Sequence, residues 1–103
     1  MQLARVRGNV VASIKASGLA AHKLLLVEAV SAGDPLSRSD ALAAASLYVA
    51  VDLAGAGVGE VVLVTLGSAA RVDRDGQTAP TDAAIVAIVD SVQLEGQATF
   101  VKG

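Results

Sequence analysis

Hydrophobic and polar positions alternate with period two along much of the chain, the mark of strands that bury one face. Between residues 3 and 15, Ala4, Val6, Gly8, Val10, Ala12 and Ile14 fall on one face, and Leu3, Arg5, Arg7, Asn9, Val11, Ser13 and Lys15 fall on the other. A strand that long predicts a bend, and Gly8 is the place for it. Residues 23–30 read as a second strand, apolar on both faces for most of its run. Residues 47–53 alternate again, with Leu47, Val49, Val51 and Leu53 against Tyr48, Ala50 and Asp52. Residues 60–66 form another doubly apolar strand. Residues 84–94 predict a last long strand, and 97–101 a short terminal one.

The connections carry turn chemistry. Ser31-Ala32-Gly33-Asp34-Pro35 and Gly55-Ala56-Gly57-Val58-Gly59 punctuate the strands, since glycine tolerates positive φ and proline removes a donor. Residues 39–45 are alanine-rich and fit either a short helix capped by Ser37 or Ser39, or an ordered loop. Residues 67–71 predict a turn or single helical turn, and residues 72–80 an exposed loop. Thr81-Asp82-Ala83 could begin a helical turn after Pro80.

About five strands in about a hundred residues predict an all-β fold, a small antiparallel barrel or sandwich forming one domain over 1–103. The second, fourth and fifth strands lack the polar face that water would require. The expected cover is another subunit. Composition points the same way: 53% of the 103 residues are hydrophobic and 17% charged, more apolar than a solitary small domain needs.

Charge and reactive side chains narrow the function by elimination. A formal net charge of −2 argues against nucleic acid and anionic lipid. Single-stranded nucleic acid needs aromatic platforms beside a basic groove, and neither Tyr48 nor Phe100 adjoins a basic cluster. No apolar run approaches the roughly 20 residues of a membrane-spanning helix, and the N-terminal residues do not read as a secretory signal. With no cysteine and one histidine, His22, thiolate and zinc-finger chemistry is excluded and imidazole chemistry is poorly supplied. The run from Gly55 to Glu60 fails as a phosphate loop: Glu60 stands where a third spaced glycine is required, and a strand follows where a helix should open. Asp52, Glu60, Asp82 and Asp90 lie at or near strand ends, where capping, turn bonds or ion pairs to Arg5, Arg7 or Arg71 are expected. No catalytic, metal or cofactor site is expected. A small-molecule-binding barrel remains the alternative.

The segment from Tyr48 to Arg71 contains Val51-Asp52, then Gly55-Ala56-Gly57-Val58-Gly59-Glu60, then an apolar strand ending in Gly67-Ser68-Ala69-Ala70-Arg71. This order resembles the EutN/CcmL family of bacterial microcompartment shell proteins. Residues 1–11, with Gly8 and Val10-Val11, resemble the family's opening strand, and Pro80 to Asp90 resemble its Pro-x-Asp-Ala-Ala-Ile-Val-x-Ile-Val-Asp run. The longer alanine-rich stretch 36–47 departs from the family's short hairpin. The resemblance implies a five-stranded barrel related to the oligonucleotide-binding fold, with short helical turns, assembled as a cyclic homopentamer. It implies a structural role at five-fold shell vertices in the bacterial cytoplasm, with hexameric shell proteins as partners and no enzymatic activity. Gly55, Ala56, Gly57, Val58, Gly59, Glu60, Ser68 and Arg71 are the expected interface or pore-loop residues. Glu60 is expected to accept hydrogen bonds or to pair with an arginine.

Overall fold

The computed structural model describes residues 1–13, 15, 19, 22–36, 47–67, 70 and 81–103. Five strands close into a barrel in the order β1(Gln2–Val10), β2(Lys23–Ala29), β3(Leu47–Asp52), β5(Ala83–Ile88), β4(Val61–Leu66) and back to β1. A separate hairpin, β6(Ser91–Leu94) and β7(Gln97–Val101), follows the barrel. The expected all-β, five-stranded barrel forms, with two corrections. A ring of five cannot alternate direction all the way round, so one pair must be parallel. That pair is β3–β5, with Val51 opposite Ala84 and Asp52 opposite Ile85. The long strand expected over 84–94 is two strands. The chain leaves the barrel at Val89 and Asp90, and its second half pairs with β7 about a two-residue turn at Glu95 and Gly96, both at positive φ.

The first strand bends where expected, but it ends at Val10. Its register against β2 jumps between Val6 and Gly8, leaving Arg7 as the extra residue of a bulge. The bulge flips the alternation. Ala4 and Val6 point inward, whereas Gly8 and Val10 pair with the outward Leu26 and Leu24. Arg7 then reaches Glu28, its guanidinium 2.7 Å from the carboxylate, with Glu28 almost wholly buried. The helical turn expected at Thr81 is absent. The Thr81 hydroxyl accepts from the Ala83 amide and donates to the Ala83 carbonyl, which launches β5 directly. The helix-or-loop expectation for 39–45 and the loop expected over 72–80 lie outside the described residues.

Barrel bore explains core composition. Diameter falls with strand number, and even eight strands leave room only for side chains. Five leave less, and the interior is Ala4, Val6, Leu25, Val27, Ala50, Ala56, Val62, Val64, Ala83 and Ile85. Burying each valine or isoleucine stabilises the fold by roughly 1.5–3 kcal/mol. Tyr48, an inward-facing aromatic, sits at the mouth rather than in the bore, its hydroxyl accepting from the Gln2 side-chain amide. Burial pushes the Tyr48 phenol up, partly offset by that hydrogen bond.

Candidate functional site

The glycine-bearing connection between β3 and β4 is the most heavily bonded loop among the described residues. It begins at Asp52, the last residue of β3, whose position opposite Ile85 turns its side chain into the barrel end. The Asp52 carboxylate accepts three backbone amides: Ala54 and Gly55 at Oδ1, both 3.0 Å, and Ala56 at Oδ2, 2.9 Å. Lys23 approaches the same Oδ2 at 3.6 Å and donates to the Ala56 carbonyl at 3.1 Å. One carboxylate therefore winds four residues into a cap and presses the Ala56 methyl into the core. Gly55 supplies the positive φ of 82° that this curl requires.

The second half of the loop is fastened to β1 and to the C-terminus. The Gly59 amide donates to the Val6 carbonyl at 2.8 Å, and the Val6 amide donates to the Glu60 carbonyl at 2.9 Å. Gly59 has φ 94°, which lets the chain reverse into β4. Glu60 accepts the Gly57 amide at Oε1, 2.7 Å, and the Lys102 ammonium at Oε2, 2.7 Å. Glu60 thus accepts hydrogen bonds, the first of its two expected roles, and its ionic partner is a lysine of its own chain. Val58, at the loop tip, is exposed.

Lys102 and the Gly57 amide hold the Glu60 carboxyl below its usual range, and Glu60 in turn raises the Lys102 ammonium. The lowered carboxyl stabilises the native contact above the ordinary carboxylate value and loses it as pH falls through the folded value. The raised ammonium contributes below its ordinary value and loses the contact as pH rises through the folded one. The tie between loop and hairpin should hold from about pH 5 to about pH 10. Amide exchange over residues 91–101, corrected for intrinsic pH dependence, should quicken severalfold at either extreme. A flat profile would contradict the tie.

Of the expected interface residues, Gly55, Ala56, Gly57, Val58, Gly59 and Glu60 come together in this loop, whereas Ser68 and Arg71 lie outside the described residues. Lys23 and Lys102 were not legible as members. Lys102 follows a hairpin turn that only the Glu95-Gly96 pair announces, and nothing in the sequence places Lys23 beside Asp52. His22 uses its backbone, the amide donating to the Leu19 carbonyl and its own carbonyl accepting from Lys15. At the other barrel mouth, Gln2, Tyr48, Val49, Leu66, Asp82 and Ala83 line an open concavity of about 480 Å³. A smaller one of about 210 Å³ adjoins it, sharing Val49 and Asp82.

These charged groups are engaged in holding backbone, and the apolar surface faces outward. Such a barrel is a structural subunit, a part made to be packed. The chain belongs to the EutN/CcmL family: the family described as "Ethanolamine utilisation protein EutN/carboxysome" matches residues 1–90. The chain is 41% identical to the carboxysome shell vertex protein CcmL of Synechococcus elongatus, an alignment spanning 99% of this chain and 96% of that protein. It is 42% identical to the bacterial microcompartment shell vertex protein EutN of Escherichia coli, over 99% and 100% of the two chains. Among solved structures, a carboxysome subunit CcmL superimposes with a TM-score of 0.80 at 41% identity, each chain fully covered. The pentameric microcompartment shell protein GrpN of Rhodospirillum rubrum gives 0.72 at 38% identity, covering 91% of this chain and 98% of that one.

Proposed function

We propose that this chain is a vertex subunit of a bacterial microcompartment shell, forming a homopentamer that closes a polyhedron built otherwise of hexameric tiles. The observation that carries the reading is the near end-to-end similarity to proteins named as shell vertex proteins. The geometry supports it. The closed barrel itself leaves no free strand edge, so copies meet it through side-chain faces. A ring of such contacts is cyclic and head-to-tail. Flat hexagonal sheets have no curvature, and five-fold units supply it. The work of such a protein is shape, with no reaction to perform.

Native mass spectrometry of the full chain should give five copies of 10.2 kDa, about 50 kDa in total. A monomer at micromolar concentration in physiological buffer would contradict the reading. Co-produced with hexameric tiles, the chain should convert open sheets into closed bodies in electron micrographs. Sheets that stay open would remove the tiles as partners.

A further inference from the structure

One mouth of the barrel is shaped by a seam that stops short. Strands β3 and β5 run parallel and pair at Val51 with Ala84 and at Asp52 with Ile85. Carried two residues back, the same register would set Val49 against Asp82, yet the pairing does not extend there. The chain before β5 bonds elsewhere. The Asp82 carbonyl accepts the Gly67 amide at 2.9 Å, and the Ala83 amide and carbonyl both meet the Thr81 hydroxyl. The two strands therefore part, and the larger concavity opens where they do, with Tyr48 and Val49 on one side and Asp82 and Ala83 on the other. Gln2 at the start of β1 and Leu66 at the end of β4 complete it. Its volume is that of a small-molecule site.

The lining has a polar end and an apolar wall. The Gln2 side-chain amide donates to the Tyr48 phenol oxygen, which fixes that amide and leaves its carbonyl oxygen as an acceptor. The Asp82 carboxylate is exposed and has no donor or cation against it among the described residues. It lines the smaller concavity as well, so it stands where the two hollows meet. Val49, Leu66 and Ala83 supply the hydrocarbon. No lysine, arginine or histidine is among the described residues lining either concavity, so an anion would meet a carboxylate and no counter-charge. A metal ion would lack ligands, since no group of three His, Cys, Asp or Glu stands together among the described residues.

We propose that this mouth binds a small organic ammonium ion, a primary amine carried on a short aliphatic body. The ammonium, with three donors and no acceptor, is set against the Asp82 carboxylate and the Gln2 carbonyl oxygen. The alkyl body lies on Val49, Leu66 and Ala83. An exposed carboxylate in an open hollow gives only modest attraction, so the dissociation constant lies in the millimolar range and exchange is fast. The site is built within one chain. It adds a binding function to a protein whose proposed work is shape, and it does not depend on how many copies assemble.

The full chain, labelled at its alanine, valine and leucine methyls, is titrated with n-butylammonium chloride at low ionic strength, where a surface charge is least screened. The methyl resonances of Val49, Leu66 and Ala83 should shift and saturate with a Kd on the order of 1–10 mM. Sodium butyrate has the same body and the opposite charge, and ammonium chloride has the charge without the body. Neither should saturate those resonances below about 100 mM. Asp82→Asn keeps the shape and should raise the Kd for butylammonium about fivefold, with the thermal midpoint of the free protein unchanged. If Asp82→Asn fails to fold, Leu66→Lys takes its place: it sets a tethered ammonium at the rim and should abolish saturation. Absence of saturation by butylammonium, equal binding of butyrate, or an unchanged Kd in the variant would overturn the site. None of these outcomes bears on the pentamer reading, which the mass of the assembly decides separately.

Discussion

Asp52→Ala is expected to lower the free energy of unfolding by about 3 kcal/mol, read from the midpoint of a denaturant titration. The substitution removes one carboxylate and strands three amides at once, of which Ala56 is buried and cannot recruit water. Hydrogen bonds to a charged group contribute roughly 1.5–3 kcal/mol each, but the Ala54 and Gly55 amides regain water when freed, which keeps the sum near the upper figure for a single bond. Lys23 also loses its ion pair, a small term because its ammonium is solvated. Asp52→Asn separates the contributions. Its one carbonyl oxygen can still serve Ala54 and Gly55, whereas its amide meets the Ala56 N–H donor to donor. The expected loss is about half as large. Equal losses for the two variants would show that the loop is not held through both carboxylate oxygens.

Gly59→Val should cost about 2–3 kcal/mol, and the reason is conformational alone. A Cβ at Gly59 would meet nothing within 4 Å, so no clash contributes. The cost is the φ of 94°, a region closed to a β-branched residue, held in place by the Gly59 amide bond to Val6. Gly57 provides the contrast. Its φ is not positive, and a Cβ there would touch only Glu60 Oε1 at an ordinary 3.5 Å. Gly57→Ala should therefore shift stability by less than about 0.5 kcal/mol. A milder effect at Gly59 than at Gly57, in the same denaturant titration, would contradict this division of labour within the loop.

The sequence announced strands well where alternation met small β-branched residues. Residues 47–52, read from alternation, and 23–29 and 61–66, read as doubly apolar runs, all form strands, and their ends moved by a residue at most. The bulge was legible at Gly8, although its consequence was not: a single extra residue reverses every later side chain, and periodicity cannot count it. The 84–94 run misled because apolar residues resume at Val92 after Asp90-Ser91, the two polar residues at which the backbone changes sheet. The Val89 amide bonds Val61, and the next residues belong to the hairpin. Parallel pairing of β3 with β5 is a property of the closed ring and has no local signal. At the loop, Asp52 was expected to cap, since an aspartate before glycines seldom does otherwise. Its lysine partner is the first residue of β2, directly opposite it in the β2–β3 pairing, and Glu60's comes from the C-terminus. Both are products of tertiary placement.

The parallel seam has a mechanical meaning. The barrel is a three-stranded meander, β1-β2-β3, closed by the hairpin β4-β5 along two joints. The joint at β1–β4 has four paired residues, from Gln2 with Val64 to Arg5 with Val61. The joint at β3–β5 has two. The short one is the weak stave of the cask, the joint with the fewest paired residues. Any contact laid across that line acts as a hoop, holding shut the part of the barrel with the fewest bonds. Whatever binds the closed barrel there and not the opened one raises its stability in step with the binder's concentration.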